Sequence, residues 1–442
     1  MNRLAIVVLS LSVLLTLALT PRTASAEPGD EYTISVLTMS PGDPVFFKFG
    51  HNAIWVHDAR TLRDDVYNWG TFSFDEPGLI QKFLRGRLTY WLSVQGIRGT
   101  IAQYDYEGRY VQQQELDLTA AQKRKVVAAM RDNALPANAK YRYHYYRDNC
   151  STRVRDMIDL ASDGALKAVS SDPSPFTYRG ETSRLTADVL WAYTFLTAAM
   201  GSFIDQPITM WEDQFVPERV EQMLRKATVR KPDGRVVPLV KAERRLVEAD
   251  RQPPRADLPQ RTLGYLATGT ALGALFGWLA YRVLTLSRRE GTKAPLGLRL
   301  ALGLPLGAIT TLTAFLGLLF LFFWTLTDHE VAYHNENLLQ TNPITVAMPI
   351  IAIGLMRGSR WAARAFERVA LALATMSVIG LLLKAMPWWF KQVNGEIIAL
   401  LLPLWLGLAA AAWMARTGEL SALSPNRRGA PGGARARTAA RS

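Results

Sequence analysis

The sequence predicts two parts, an α+β domain over residues 27–255 and an all-α bundle of five membrane helices over residues 256–420. Three observations predict them. Short β-like and amphipathic runs, balanced in charge, fill the first part. Long apolar runs begin at Leu263, and basic residues gather in alternate gaps between those runs.

At the start, Arg3 and the apolar residues 4–19 precede Ala24-Ser25-Ala26, the pattern of a signal peptide over 1–26 cut before Glu27, with an uncleaved signal anchor as the alternative. The domain that follows is therefore expected outside the cytoplasm. Cys150 is the only cysteine, so no internal disulfide can form. A free thiol in an oxidising compartment is a liability unless it is buried or used.

The net charge of +13 could suggest nucleic acid, but its location decides otherwise. Between Glu27 and Gln260 there are 31 Lys+Arg and 31 Asp+Glu, so that stretch is neutral. No nucleic-acid partner is expected. The excess lies with the apolar segments, roughly 263–286, 298–326, 338–356, 369–386 and 397–415, each near the ~20 residues a bilayer requires. Arg282, Arg288, Arg289, Lys293 and Arg299, then Arg357, Arg360, Arg364 and Arg368, then Arg416 and the tail arginines give fifteen positive residues on one side. Only Arg261, Lys384 and Lys391 fall on the other. The asymmetry predicts a bacterial inner-membrane protein with its α+β domain periplasmic and its C-terminus cytoplasmic. The Gly/Ala/Arg-rich tail, 421–442, is expected to be disordered against anionic headgroups.

The α+β part carries two informative segments. FGHNAIWVHD (49–58), a polar turn and VYNWGTF (66–72) read as a β-hairpin. In YRYHYYRDNCSTRVRD (141–156), Val154, Met157, Ile158 and Ala161 begin a helical i, i+3, i+4, i+7 pattern, with Asp148, Asn149 or Ser151 as cap. Cys150 thus falls at a helix N-terminus, where the macrodipole and unpaired N–H groups stabilise a thiolate and can form an oxyanion hole. A run at 189–204 is too short to span comfortably; it reads as a buried core helix, with a membrane-dipping lid as the sharper reading.

A thiolate at a helix start with a His opening a strand is the layout of papain-like enzymes. The order His51 before Cys150 resembles their circularly permuted and NlpC-like relatives, lecithin:retinol acyltransferase among them. FGHNAIWV, VYNWGTFSFDEPGLIQKFLRGRLTYWL, YHYYRDNCSTRVRDMID and WEDQFVPERVEQML, followed by membrane spans and an HNENLLQTNP segment, together resemble the Lnb family of bacterial lipoprotein N-acyltransferases. That resemblance implies a permuted papain-like fold, with Cys150 as nucleophile and His51 as its base. It also implies acyl transfer from a membrane lipid or lipoprotein ester to the amine of a lipidated N-terminal cysteine. Membrane lipids and lipoproteins would then be the partners. The same pair with water as acceptor would make a cell-wall amidase or peptidase; a merely buried Cys150 would leave a scaffold.

A third group should orient the imidazole. Asn68 is the first candidate, with Asp58 and Thr71 open because the hairpin register is not fixed by sequence. His144 is the rival base on a Tyr-rich run, and His57 reads as a surface residue. Asn149 and Tyr143 are candidates for holding substrate. His334 and Asn337 are expected to face the domain from the loop between spans two and three, and to serve activity more than folding. His329 and His334 are metal ligands by type, but no third ligand has a supporting spacing. With no Gly-rich phosphate loop either, no cofactor or metal is expected.

The charge pattern gives the first test. Reporter fusions after Arg255 and near Gly429 should read periplasmic and cytoplasmic, respectively. Both reporting the same side would overturn the topology.

Overall fold

The computed structural model describes residues 27–73, 75–288 and 292–423. The expected leader and tail residues 424–442 lie outside them, whereas 421–423 complete the last helix.

Tyr32–Met39 (β1), His51–Asp58 (β2), Arg63–Thr71 (β3), Thr89–Gly96 (β4), Val111–Leu116 (β5), Lys140–Arg142 (β6) and Val240–Val247 (β7) form one sheet in the order β7-β5-β1-β2-β3-β4-β6. Every pairing in it is antiparallel. Side chains alternate between its faces. Ile34, Val36, Ile54, Tyr67 and Trp69 share one core with Val154, Ile158 and Ala161 of helix α1 (Cys150–Ala161). Leu37, Met39, Ala53 and Val66 point the other way, onto Ile97 and Tyr104. Both faces are covered, which is why β1 is buried along almost its whole length, Ser35 and Thr38 included. The hairpin register pairs Ile54 with Tyr67 and Asp58 with Arg63. Asp58 Oδ1 closes its turn by accepting from the N–H groups of Arg60 and Thr61 at 2.9 and 3.2 Å.

Among the described residues the helical part holds four helices long and apolar enough to cross a membrane, not five. They are α3 (Thr262–Arg288), α4 (Leu296–Leu326), α6 (Arg360–Leu382) and α7 (Gly395–Leu423), with α2 (Leu190–Ala199) and α5 (Ala347–Met356) as shorter apolar helices. Gly269, Gly273 and Gly277 let α3 lie against the backbone of α7, where a Cβ at Gly273 would overlap the Pro403 carbonyl.

The third expected span is broken. Its first half is two 3-10 turns, Glu336–Leu339 and Pro343–Val346, and only Ala347–Met356 is α-helical. Asn342 accepts from the Ile344 N–H and Pro343 follows it, so a new helix starts there rather than continuing from Leu338. Nor is the polar segment before it a solvated loop. Asn335, Asn337, Gln340, Thr341, Asn342 and Thr345 are buried, and the Thr341 carbonyl fills the space beside Gly317 of α4. Irregular backbone at this depth is tolerated only where protein supplies its partners.

Those partners join the two parts. Helix α2 ends with unpaired carbonyls, as any helix does. Asn335 Nδ2 donates to Ala198 O and Ala199 O at 2.8 and 2.9 Å, and Asn337 Nδ2 donates to Ala198 O at 3.0 Å. Gln392 Nε2 donates to Met200 O at 2.8 Å. Ala198 and Ala199 pack on Phe320 and Ile397 of the long helices, while Leu190 and Trp191 stay exposed. Residues 189–204 are therefore neither a core helix of the α+β part nor a free lid, but the plug between the parts.

Asn337 is corrected by this geometry. It is fully buried, and its Oδ1 accepts from Asn394 Nδ2 at 2.9 Å, so it serves the fold rather than a substrate. Asn337→Ala should cost about 1–3 kcal/mol for each buried partner it strands. The measurement is thermal unfolding and membrane accumulation of the full chain; an unchanged midpoint would show that the amide network does not hold the parts together.

Candidate active site

Asn149 fixes where α1 begins. Its Oδ1 accepts from the N–H groups of Ser151 and Thr152, both at 2.9 Å, and Thr152 Oγ1 accepts back from the Asn149 N–H at 2.8 Å. Its Nδ2 donates to Tyr145 O at 3.0 Å and Phe215 O at 2.9 Å. The amide is thus spent on backbone and buried, so Asn149 is the cap and not a substrate ligand. Cys150 is the first helical residue.

The cap also narrows the oxyanion expectation. Asn149 takes the N–H groups of Ser151 and Thr152 with its side chain, and that of Arg153 with its carbonyl. The Cys150 N–H has no acceptor among the described residues. A second N–H comes from the neighbouring strand, because Asn52 turns its backbone N–H to the Cys150 sulfur.

β2 brings His51 to the same point. The His51 Nε2 lies 3.4 Å from Asn68 Oδ1, and Asn68 Nδ2 donates to Val66 O at 3.2 Å. The second bond orients the amide so that its oxygen faces the ring. An acceptor there favours the proton on Nε2 and leaves Nδ1 as the nitrogen able to take a thiol proton. Asp58 is committed to the hairpin turn, and Thr71 Oγ1 to Ser93 Oγ at 2.7 Å. Gly70 forms the wall beside the thiol. Its φ is +90°, and a Cβ there would stand 3.4 Å from the Cys150 Cβ.

Burial pushes the Cys150 thiol up, but the His51 charge and hydrogen bond, with help from the Asn52 N–H and the Ser151 hydroxyl, outweigh it. The net direction is down, toward thiolate. Beside it Tyr143 stacks on Tyr90, with ring centroids 4.1 Å apart. Burial and the adjacent Cys150 hold the Tyr143 phenol well above its usual range, so it keeps its proton.

The other histidines do different work. His144 Nδ1 accepts from the N–H groups of Tyr146 and Arg147 at 3.2 and 3.1 Å, and burial lowers its pKa. It shapes the turn before Cys150. His57 pairs with Asp64 at 2.8 Å, half exposed at the end of the hairpin. Exposed His334 lies against Trp324 and does not reach the site, contrary to the expectation for it. Among the described residues, no group of three His, Cys, Asp or Glu side chains is placed to hold a metal ion.

Tyr143 also borders a cavity of about 260 Å³, which neither part forms alone. Arg142, Tyr143, Tyr145 and Arg147 line one wall; Asp328, His329 and Glu330, from the segment after α4, line the other. Asp328 holds Arg87 at 2.7 Å and Arg142 at 3.0 Å, and Glu330 holds Arg147 at 3.2 Å. Burial lowers the His329 pKa; its neutral ring donates from Nε2 to Phe83 O at 2.7 Å and stacks on Tyr145.

A lone acidified thiol, set by a helix cap against a strand histidine, stands at the end of a helical bundle. Residues 22–184 match the family model of the Lnb N-terminal periplasmic domain. The match takes in β1 to β6, α1, His51, Asn68 and Cys150, and stops short of α2 and the long helices. No curated protein and no solved structure matches the chain. The Lnb-type domain and the four apolar helices together indicate an inner-membrane protein.

Sequence reasoning missed the Asn52 N–H, since a backbone amide leaves no residue signature. The thiol can be tested directly. Iodoacetamide should alkylate Cys150 fastest above a pH that lies below the ordinary thiol range of about 8.5. His51→Ala should move that titration upward, because burial is then opposed only by the Asn52 N–H and the Ser151 hydroxyl. A titration unmoved by His51→Ala would separate the two residues.

Proposed function

We propose that this protein is an inner-membrane acyltransferase that forms a thioester on Cys150 and passes the acyl chain to the N-terminal amine of a lipoprotein. The observation that carries the reading is the placing of Cys150 at the capped start of α1, against the His51–Asn68 pair of the hairpin. It is supported by the shared wall of the adjoining cavity, which sets the site against the ends of apolar helices. An insoluble acyl donor needs a site there; a cell-wall peptide does not.

In this mechanism His51 takes the Cys150 proton, and the thiolate attacks an ester carbonyl. In this reading the N–H groups of Cys150 and Asn52 are the donors that meet the tetrahedral oxyanion. Collapse expels the alkoxide, which takes the proton from His51 and leaves as an alcohol. An acceptor amine then attacks the thioester, His51 receives the amine proton, and collapse releases the amide and the sulfur, which is reprotonated. Asn68 orients the imidazole throughout. The papain-like description of the domain, in permuted order, belongs to this reading; its support is the packing of α1 onto the sheet behind a strand that opens with His51.

Protein purified without acceptor should carry a fatty acyl chain on its one thiol, labile to neutral hydroxylamine and visible by intact mass. Cys150→Ala should abolish the adduct and the transfer activity. His51→Ala should slow acylation by about 10²–10⁴-fold, the usual worth of general-base help. A wall hydrolase would lose activity with both substitutions yet show no fatty adduct. A scaffold would tolerate Cys150→Ala. Retained acyl transfer in Cys150→Ala would defeat the mechanism.

A further inference from the structure

A short helix, Leu79–Leu84, stands on the α+β part between β3 and β4. Leu79, Ile80, Phe83 and Leu84 make it mostly apolar, yet none of its residues is buried by the rest of the described chain. Ile80 is 73% exposed and Phe83 47%. A helix this short does not hold itself in water; its stability has to come from a covered apolar face. The polar groups around it are already spent on protein. Lys82 pairs with Glu76 at 2.5 Å, and Arg87, just beyond the helix, pairs with Asp328 at 2.7 Å. The apolar side is what lacks a partner among the described residues.

Its place in the fold says what covers it. The Arg85 carbonyl accepts from the Asp328 N–H at 2.9 Å, and the Phe83 carbonyl accepts from His329 Nε2 at 2.7 Å. Asp328 and His329 come directly after the apolar span that ends at Leu326. The approach is close, since a Cβ at Gly86 would stand 3.0 Å from the Asp328 carbonyl carbon and the His329 nitrogen. The rings of Phe323, His329 and Phe83 follow one another at 5.1 and 6.0 Å. Along α4, Leu312, Phe315, Leu318, Leu321 and Leu326 are exposed, the side that a membrane span turns to lipid. The apolar surface of the bundle therefore continues onto the α+β part through Phe83 and Ile80.

Helix rise sets the depth. From Arg299 to Leu326, α4 climbs about 40 Å, the thickness of a bilayer with its headgroup regions and more than its ~30 Å hydrocarbon core. Trp324, near that end, is the residue type of the headgroup level. The short helix thus lies where headgroups meet acyl chains, the level at which amphipathic helices bury their apolar face by about 5–10 Å.

We propose that Leu79–Leu84 is an interfacial helix that seats Ile80 and Phe83 among the lipid chains of the leaflet facing the α+β part. Gly86 and Leu88, just beyond it, line the cavity beside Tyr143, so the seated helix holds the rim of that cavity at the lipid surface. The seating does not depend on acyl transfer and can be read in protein that lacks Cys150.

Cys150→Ala removes the only cysteine and leaves a clean background for a single label. In it, Ile80→Cys, Phe83→Cys and, for comparison, Leu62→Cys carry an environment-sensitive fluorophore on the full chain, in vesicles of ethanolamine and glycerol phospholipids. Leu62 is 78% exposed, as open as Ile80, but lies at the hairpin turn, the far end of β2 from His51. Labels at 80 and 83 should emit at shorter wavelength than at 62. A lipid nitroxide high on the acyl chain should quench them several-fold more strongly than at 62, and more than a nitroxide near the chain end does. Two positions keep the proposal testable if one label disturbs the fold. Water-like emission at both, or quenching no stronger than at 62, would overturn the assignment. So would shortened emission that no lipid nitroxide quenches, because protein rather than lipid would then cover the helix.

Discussion

Polar groups withdrawn from water must find partners in protein, and at the junction of the two parts they find them in each other. The carbonyls that end α2 have no helical acceptor role left, and the amides of Asn335, Asn337 and Gln392 have no solvent. Each set satisfies the other. From that exchange follows the plug of alanines between the long helices, and with it the height of the sheet over the bundle. The broken third span follows as well. A continuous helix from Leu338 would carry these amides around a cylinder, whereas two 3-10 turns present them to α2, to Ser377 through Gln340, and to Trp405 through the Gln340 carbonyl.

The thiol site rests on the same economy of donors. Asn149 consumes two helix N–H groups with its own oxygen, which makes the helix start rigid but removes those groups from chemistry. What remains near the sulfur is the Cys150 N–H and the Asn52 N–H, contributed by separate elements. The position of the thiol relative to β2 therefore matters as much as the helix dipole. Gly70 permits that approach, since a side chain there would stand against the Cys150 Cβ.

The α+β part and its hairpin were legible because their signals are local: alternation in 51–58 and 66–71, a capping amide before an amphipathic run, a lone cysteine. The His51–Asn68 contact was one candidate among three until the register placed it. The helical part was legible in hydropathy, but not in continuity. Residues 338–356 satisfy a hydropathy window although Asn342-Pro343 interrupts them, and composition cannot tell a polar segment in water from one paired inside a bundle. For the same reason Asn337 read as a site residue.

The cavity beside Tyr143 has two owners. One wall lies within the segment that matches the Lnb-type domain; the other, Asp328 to Glu330, comes from sequence well beyond it. A match to the domain therefore takes in one wall of the cavity and leaves the other to the rest of the chain. Chains that keep His51 and Cys150 but join them to a different membrane segment would keep the thiol pair and exchange half of the surface beside it. On the proposed mechanism catalysis and selection would be inherited separately, one from the sheet and one from the bundle.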